Sequence, residues 1–211
     1  MKKIITISTI IILIIAVLVI FQDKTKENLL GIDYNVPRNT AKLKYKTKNP
    51  VVAMKIKGYG SIVMELYKDT APITVNNFIK TVKSGYYDGN NFHRLVKGFV
   101  IQGGDLTGTG NGGGKEYIKG EFKENGVENN LKHTKGVVSM ARASDPNSAS
   151  TQFFIVLKDS SFLDGKYAAF GKIIDGWENI EKIEEEEKVT NEKLDNKLII
   201  EKALVDEKKL N

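Results

Sequence analysis

The stretch Phe92-His93-Arg94-Leu95-Val96-Lys97-Gly98-Phe99-Val100-Ile101-Gln102-Gly103-Gly104-Asp105 decides the fold. Two short runs of β-branched and aromatic residues, Phe92–Leu95 and Phe99–Gln102, flank a glycine turn, the pattern of paired antiparallel strands. Strand alternation then sends Phe92 and Arg94 to one side and His93 and Leu95 to the other, and lets Arg94 and Gln102 meet on one surface beside an aromatic ring. Spacing alone leaves a second reading open, in which Arg94 is an exposed strand arginine and Gln102 an edge polar residue. His93 has no second histidine or acidic pair near it in the sequence and reads as structural; His133 reads the same way.

Outward from that hairpin, Val52, Met54 and Ile56 share one face of an alternating run, and Ile62, Met64 and Leu66 repeat the pattern after Gly58-Tyr59-Gly60. Asp69-Thr70-Ala71-Pro72 supplies a cap and an early-turn proline, and Val75, Phe78, Ile79 and Val82 fall at i, i+3, i+4 and i+7 before Gly85, which predicts an amphipathic helix. Further short strands are expected at Val137–Met140, Gln152–Leu157 and Ala168–Ile173. A second helix is expected from Asp175, with Glu178 completing a capping box, and a last strand over Leu198–Val205. Many short strands with two helices argue for a closed or sandwiched antiparallel sheet rather than alternating β-α units.

Composition removes several chemistries. The 211 residues include no Cys and two His, which excludes a disulfide framework, a thiolate nucleophile and a thiolate zinc site, and leaves little for a histidine metal centre. A hydrophobic fraction of 41% suffices for a core. The net charge of +6 lies outside the predicted domain: residues 22–50 carry seven Lys+Arg against three Asp+Glu, whereas from Val51 onward there are 23 of each sign, so basicity gives no support for nucleic-acid binding.

Residues 1–21 read as a signal anchor. Ile4 to Phe21 is free of charge and at 1.5 Å per residue reaches about 27 Å, close to the roughly 30 Å hydrocarbon core of a bilayer. Val17-Leu18-Val19-Ile20-Phe21-Gln22 lacks the small residues of a cleavage site. The expectation is a single-pass cell-membrane protein with its N-terminus in the cytoplasm and the remainder extracytoplasmic, or a secreted one if this segment is cleaved. Residues 22–50 read as a basic linker that would lie against anionic lipid, and residues 51–211 as the functional domain.

Two motif matches carry no function. Gly108-Thr109-Gly110-Asn111-Gly112-Gly113 is a literal G-x-G-x-x-G, but it opens no helix in a βαβ unit and reads as a surface loop. Glu184–Glu187 reads as a solvated run at a helix end, and no G-x-S-x-G occurs.

Phe92-His93-Arg94, Gly98 to Asp105, Ser139-Met140-Ala141, Gln152-Phe153-Phe154-Ile155 and Phe162-Leu163-Asp164-Gly165-Lys166 occur in the order and spacing of a cyclophilin. The chain from about Val51 to Val205 resembles that family of peptidyl-prolyl cis-trans isomerases, with the Ser144–Thr151 loop resembling bacterial-type members. The resemblance implies a mainly β protein: a closed eight-stranded antiparallel barrel capped by two α-helices, here preceded by one transmembrane helix, with the substrate groove on the barrel's outer surface. It implies Arg94 as the catalytic residue. For the groove it implies Phe99, Val100, Gln102, Ala141, Arg142, Ala143, Gln152, Phe154, Phe162, Leu163 and Tyr167. No metal or cofactor is implied.

Phe162 and Tyr167 stand where eukaryotic members usually carry Trp and His, Arg142 where they carry Asn, and Val100 where Met is common. These departures imply cyclosporin binding of reduced affinity more than lost catalysis. The expected partners are proline-containing unfolded or flexible polypeptides met after export, with no nucleic acid, and the expected state is a monomer. Two other functions compete with catalysis: a proline-peptide docking module or holdase, and an apolar-ligand barrel with a hollow interior, against which the large Ile, Leu, Phe and Met strand residues argue.

Overall fold

Aliphatic residues run almost unbroken through Val51–Ile56 (β1) and Gly60–Leu66 (β2), which pair antiparallel. In the computed structural model, which describes residues 32–38 and 41–207, they belong to a unit that extends from Tyr34. The other strands are Asn91–Val96 (β3), Val100–Gly103 (β4), Val137–Met140 (β5), Phe153–Val156 (β6), Ala169–Asp175 (β7), Val189–Thr190 (β8) and Lys193–Asp206 (β9). Their order is β1-β2-β7-β5-β6-β4-β3-β9, and pairing of β1 with β9 closes the ring. The result is a closed eight-stranded antiparallel barrel, with two-residue β8 appended to β9 as a short hairpin. Strand β9 is longer than its hydrophobic run because it pairs with β1 through Ile200–Asp206 and with β3 through Lys193–Ile199.

Inward positions hold Met54, Ile62, Met64, Leu66, Phe92, Leu95, Ile101, Phe153 and Phe170, each at most 1% exposed. An eight-stranded barrel is just wide enough for side chains of this size to fill it, so the interior is a packed core and not a ligand cavity. Two helices cap the barrel, α1 (Pro72–Ser84) and α2 (Trp177–Glu186). Helix α1 buries Val75, Phe78, Ile79 and Val82, and Phe78 meets Tyr87, Phe153 and Phe170 with ring centroids 5.0–5.3 Å apart.

Pro72 opens α1 as the sequence suggests, but neither helix has the side-chain cap expected of it. The first-turn amides of α1 donate to a distant carboxylate: Ile73 N to Glu121 Oε1 at 3.0 Å and Thr74 N to Glu121 Oε2 at 2.8 Å. Helix α2 is capped by Gly176 at φ +76°, where a Cβ would collide with the carbonyl of Ser61, and Asp175 instead accepts hydrogen bonds from the Gly176 amide and the Tyr45 hydroxyl.

Within the segment expected to be a linker, residues 41–50 lie on the barrel. Ala41, Leu43 and Pro50 are buried while Lys42, Lys44, Lys46 and Lys48 are exposed. The strap is tied down by Leu43 N donating to Asp206 (2.9 Å), Tyr45 Oη to Asp175 (2.7 Å) and Asn49 Nδ2 to Glu65 (2.9 Å), with Arg38 bonded to Asp88 just upstream.

The transmembrane helix expected ahead of the barrel is not supported. Ile4–Phe21 lies outside the described residues, and among the described residues no helix is long and apolar enough to cross a membrane. Helices α1 and α2 reach only about 20 and 15 Å, each with one polar face. The membrane anchor, the cell-membrane and extracytoplasmic placement, the lipid partner and the exported clientele that rested on it are therefore withdrawn.

Candidate active site

Strands β3 and β4 pair with Phe92 opposite Gly103 and Arg94 opposite Gln102, so three residues on β3 face two on β4. His93 is the extra residue of a β-bulge, which breaks the alternation expected from the sequence. Phe92 and Leu95 therefore both enter the core, and Arg94 alone of the three turns outward beside Gln102. The bulge also leaves His93 buried at 8% exposure, with neither ring nitrogen bonded among the described residues. Burial lowers its pKa, partly offset by the Asp105 carboxylate.

The Arg94 guanidinium is held from two sides. Nη1 donates to Gln102 Oε1 at 3.4 Å, while Nε and Nη2 both reach Glu192 Oε2, at 2.9 and 2.8 Å. Gln102 Nε2 donates to Gln152 Oε1 at 2.8 Å, and Gln152 Nε2 donates to the Gly110 carbonyl at 3.0 Å. This relay of amides fixes which end of each glutamine faces the groove.

Below these polar groups the outer face of the barrel carries a second hydrophobic cluster: Val100, Val137, Phe154, Val156, Leu163 and Ala169, with Phe99, Ala141 and Tyr167 against it. Val100, Val137, Phe154, Val156 and Ala169 are outward residues of β4, β5, β6 and β7, one step out of phase with the core, and the connecting segments add Leu163, Phe99, Ala141 and Tyr167. Phe154 is held edge-on to Tyr167 at 5.8 Å and stacked on His133 at 6.1 Å. His133 is buried and bonded on both nitrogens, to Asp164 Oδ1 and Ser139 Oγ at 3.0 Å each, so it fixes Phe154 from behind. Burial lowers the His133 pKa against the opposing pull of Asp164.

Two depressions adjoin over this floor. One, of about 270 Å³, is lined by Arg94, Phe99, Val100, Gln102, Ala141, Arg142, Phe154, Phe162, Leu163 and Tyr167. The other, of about 410 Å³, shares Gln102, Ala141 and Arg142 and adds Ala143, Gln152, Tyr117, Ser148, Ser150 and the Gly110–Gly114 loop. All twelve residues expected at the site therefore line one or the other. Arg142 presents backbone more than charge: its guanidinium donates to the carbonyls of Lys166 and Ala143 and lies 4.7 Å from the Tyr167 ring centroid.

The glycine-rich loop was read from sequence as a surface loop, and it is a wall of the site. Its organiser is Asp105, fully buried, which accepts from the amides of Thr107 (2.8 Å), Gly110 (2.8 Å) and Gly112 (3.0 Å). Burial pushes this carboxyl up, but those donors outweigh it and hold it below the usual carboxylate range. Gly104 enters the loop at φ +90°, where a Cβ would collide with the Thr151 carbonyl. No group of three or more His, Cys, Asp or Glu able to hold a metal ion occurs among the described residues.

Residues 51–205 match the family described as "Cyclophilin type peptidyl-prolyl cis-trans isomerase/CLD". The chain belongs to the cyclophilin family. Among curated proteins, this cyclophilin is 46% identical over 125 residues to peptidyl-prolyl cis-trans isomerase-like 1 of Gibberella zeae, covering 59% of this chain and 75% of the relative. It is 50% identical over 118 residues to the protein of the same name from Rhizopus delemar, covering 56% and 70%. Among solved structures it is similar to a Cryptosporidium parvum cyclophilin-type isomerase crystallised in the presence of the dipeptide Ala-Pro, with a TM-score of 0.68, 36% identity and coverage of 74% of this chain and 98% of that one. A cyclophilin from Hirschia baltica aligns with a TM-score of 0.60 and 26% identity over 74% of this chain and 76% of that one. These relatives give no particular support to a bacterial type, and that label is dropped. This cyclophilin is an enzyme, a peptidyl-prolyl cis-trans isomerase that accelerates rotation about X-Pro bonds.

Glu192 was not foreseen. It lies 98 residues from Arg94 in the chain, in no recognisable motif, and the only signal is its place in a two-residue hairpin turn.

Proposed function

We propose that Arg94 is the catalytic group, that the Phe99, Val100, Phe154, Phe162, Leu163 and Tyr167 pocket receives the proline ring, and that Gln102, Gln152 and the backbone at Ala141–Ala143 hold the chain on the other side of the rotating bond. The observation that carries this reading is a fixed guanidinium at the rim of an apolar pocket, next to a row of peptide-like donors and acceptors. Its substrates are flexible polypeptides containing proline.

Rotation must break amide resonance, a barrier of about 18–20 kcal/mol, and only prolyl bonds have both isomers close enough in energy for the exchange to matter. No bond to carbon is made or cut. As the C–N bond twists, the prolyl nitrogen becomes pyramidal and regains a lone pair, which accepts a hydrogen bond that the planar ground state cannot. Arg94 supplies that donor already positioned, so little reorganisation is needed when the bond turns. The apolar pocket anchors the ring while the amide relay anchors the preceding residues, and the two halves turn against each other.

The test is a proline-isomerisation assay on Arg94→Ala and Arg94→Lys. Removing a donor used only in the transition state costs on the order of 100-fold in kcat, with KM little changed because the pocket remains. Wild-type turnover in Arg94→Ala would sink the assignment.

A further inference from the structure

We propose that Glu192 is a positioning residue for Arg94, an inference that rests on Arg94 being the catalytic group. Two independent observations meet at this residue. The first is contact: a single carboxylate oxygen, Oε2, takes both Nε and Nη2 of Arg94, at 2.9 and 2.8 Å, leaving Nη1 on the Gln102 side. The second is backbone strain. Asn191 at φ +49° and Glu192 at φ +64° are the only non-glycine residues with positive φ among the described residues. Asparagine tolerates that conformation, whereas a glutamate there is held at a cost that glycine would not incur.

The turn is pinned where it acts. Leu95 N donates to the Glu192 carbonyl at 2.9 Å, and Arg94 pairs with Lys193 across the β3–β9 ladder, so the Glu192 backbone is locked to the bulge that carries Arg94. A two-residue turn of this kind needs positive φ at both central residues, so what calls for a reason is that glutamate occupies a position glycine would suit better. Glu192 lines a depression of about 250 Å³ that shares Arg94 and Gln102 with the proline pocket, but Glu192 is itself no part of that pocket. It therefore acts on the arginine and not on the ring. An arginine on three carbons has many rotamers, and fixing one edge of its fork keeps the other edge, with Nη1 on Gln102, at the groove before substrate arrives.

The expected result for Glu192→Gln is a fall in kcat of about three- to tenfold, the factor that corresponds to freeing one rotamer-rich side chain, with KM unchanged. Glu192→Gly relieves the backbone while removing the carboxylate, so its kcat falls at least as far while its Tm stays level or rises. In an Arg94→Ala background, Glu192→Gln adds no further loss, because the group it positions is gone. Unchanged or increased kcat in Glu192→Gln overturns the inference, as does a lowered Tm that accounts for the loss in Glu192→Gly, or an added loss on top of Arg94→Ala. Wild-type activity in Arg94→Ala itself strikes the catalytic assignment instead, so the two failures are distinguishable.

Discussion

Phe162 stands 61% exposed over the ring of Phe99, with centroids 5.4 Å apart, so it walls the proline pocket without supporting the barrel. Phe162→Ala should therefore leave Tm nearly unchanged and raise KM by about threefold to tenfold at constant kcat, because the lost contact is the same in the ground state and the twisted state; a fall in kcat instead would place Phe162 in the rate-determining step. At this scale the sequence shows part of the site. That Arg94 can face Gln102 is offered by hairpin pairing, which leaves an exposed arginine and an edge glutamine as the other reading, and the ladder places the two opposite each other. That Phe92 faces away from Arg94 does not follow from the sequence, because alternation holds only for regular strands, and nothing in Phe-His-Arg-Leu marks His93 as the extra residue. The bulge is what lets one strand put Phe92 and Leu95 into the core and still deliver a cation to the surface between them.

At the scale of elements, helix α1 places Phe78 against three aromatic rings of the core, yet its first-turn amides are satisfied by Glu121, which is 2% exposed and far away in sequence. Glu121 also accepts from Thr74 Oγ1 at 2.7 Å. Glu121→Ala would leave the Ile73 and Thr74 amides without a partner under the loop, at a cost of about 2 kcal/mol. Urea titration should show a lowered midpoint with the slope unchanged, while kcat per folded molecule stays the same. A midpoint within error of wild type would mean that water replaces the cap at no cost. Local patterns reveal that this helix exists because its apolar stripe is local, but a cap supplied from elsewhere leaves no local trace. The strap at residues 41–50 escaped for a related reason. Its inward positions, Ala41, Leu43, Tyr45, Thr47 and Asn49, are a mixture of apolar and hydrogen-bonding residues, so the alternation is visible only as the outward row Lys42, Lys44, Lys46 and Lys48.

At the scale of the whole molecule, charge is balanced from Val51 onward, and the pH dependence of stability falls to a few buried groups. His93 and His133 both have pKa values lowered from 6.5 by burial, so the folded protein resists protonating them. The unfolded chain binds protons at these sites first, and stability must fall as pH drops below about 6.5, levelling once the lowered folded-state values are passed. Asp105 and Asp164 push stability in the same direction at lower pH, for a different physical reason. Burial raises both, but hydrogen-bond donors outweigh it and hold them below 3.8, so the stability they contribute is complete above that value and is lost as pH falls through their folded-state pKa values. Denaturant midpoints should thus be flat between about pH 7 and 9, decline as pH falls below about 6.5, and decline again below about 4. His133→Gln should flatten part of the first decline at the expense of stability at pH 7.5, where the bonds to Asp164 and Ser139 are lost. A midpoint that rises from pH 7.5 to pH 5 would show that the histidines are stabilised as cations in the fold, contrary to their burial.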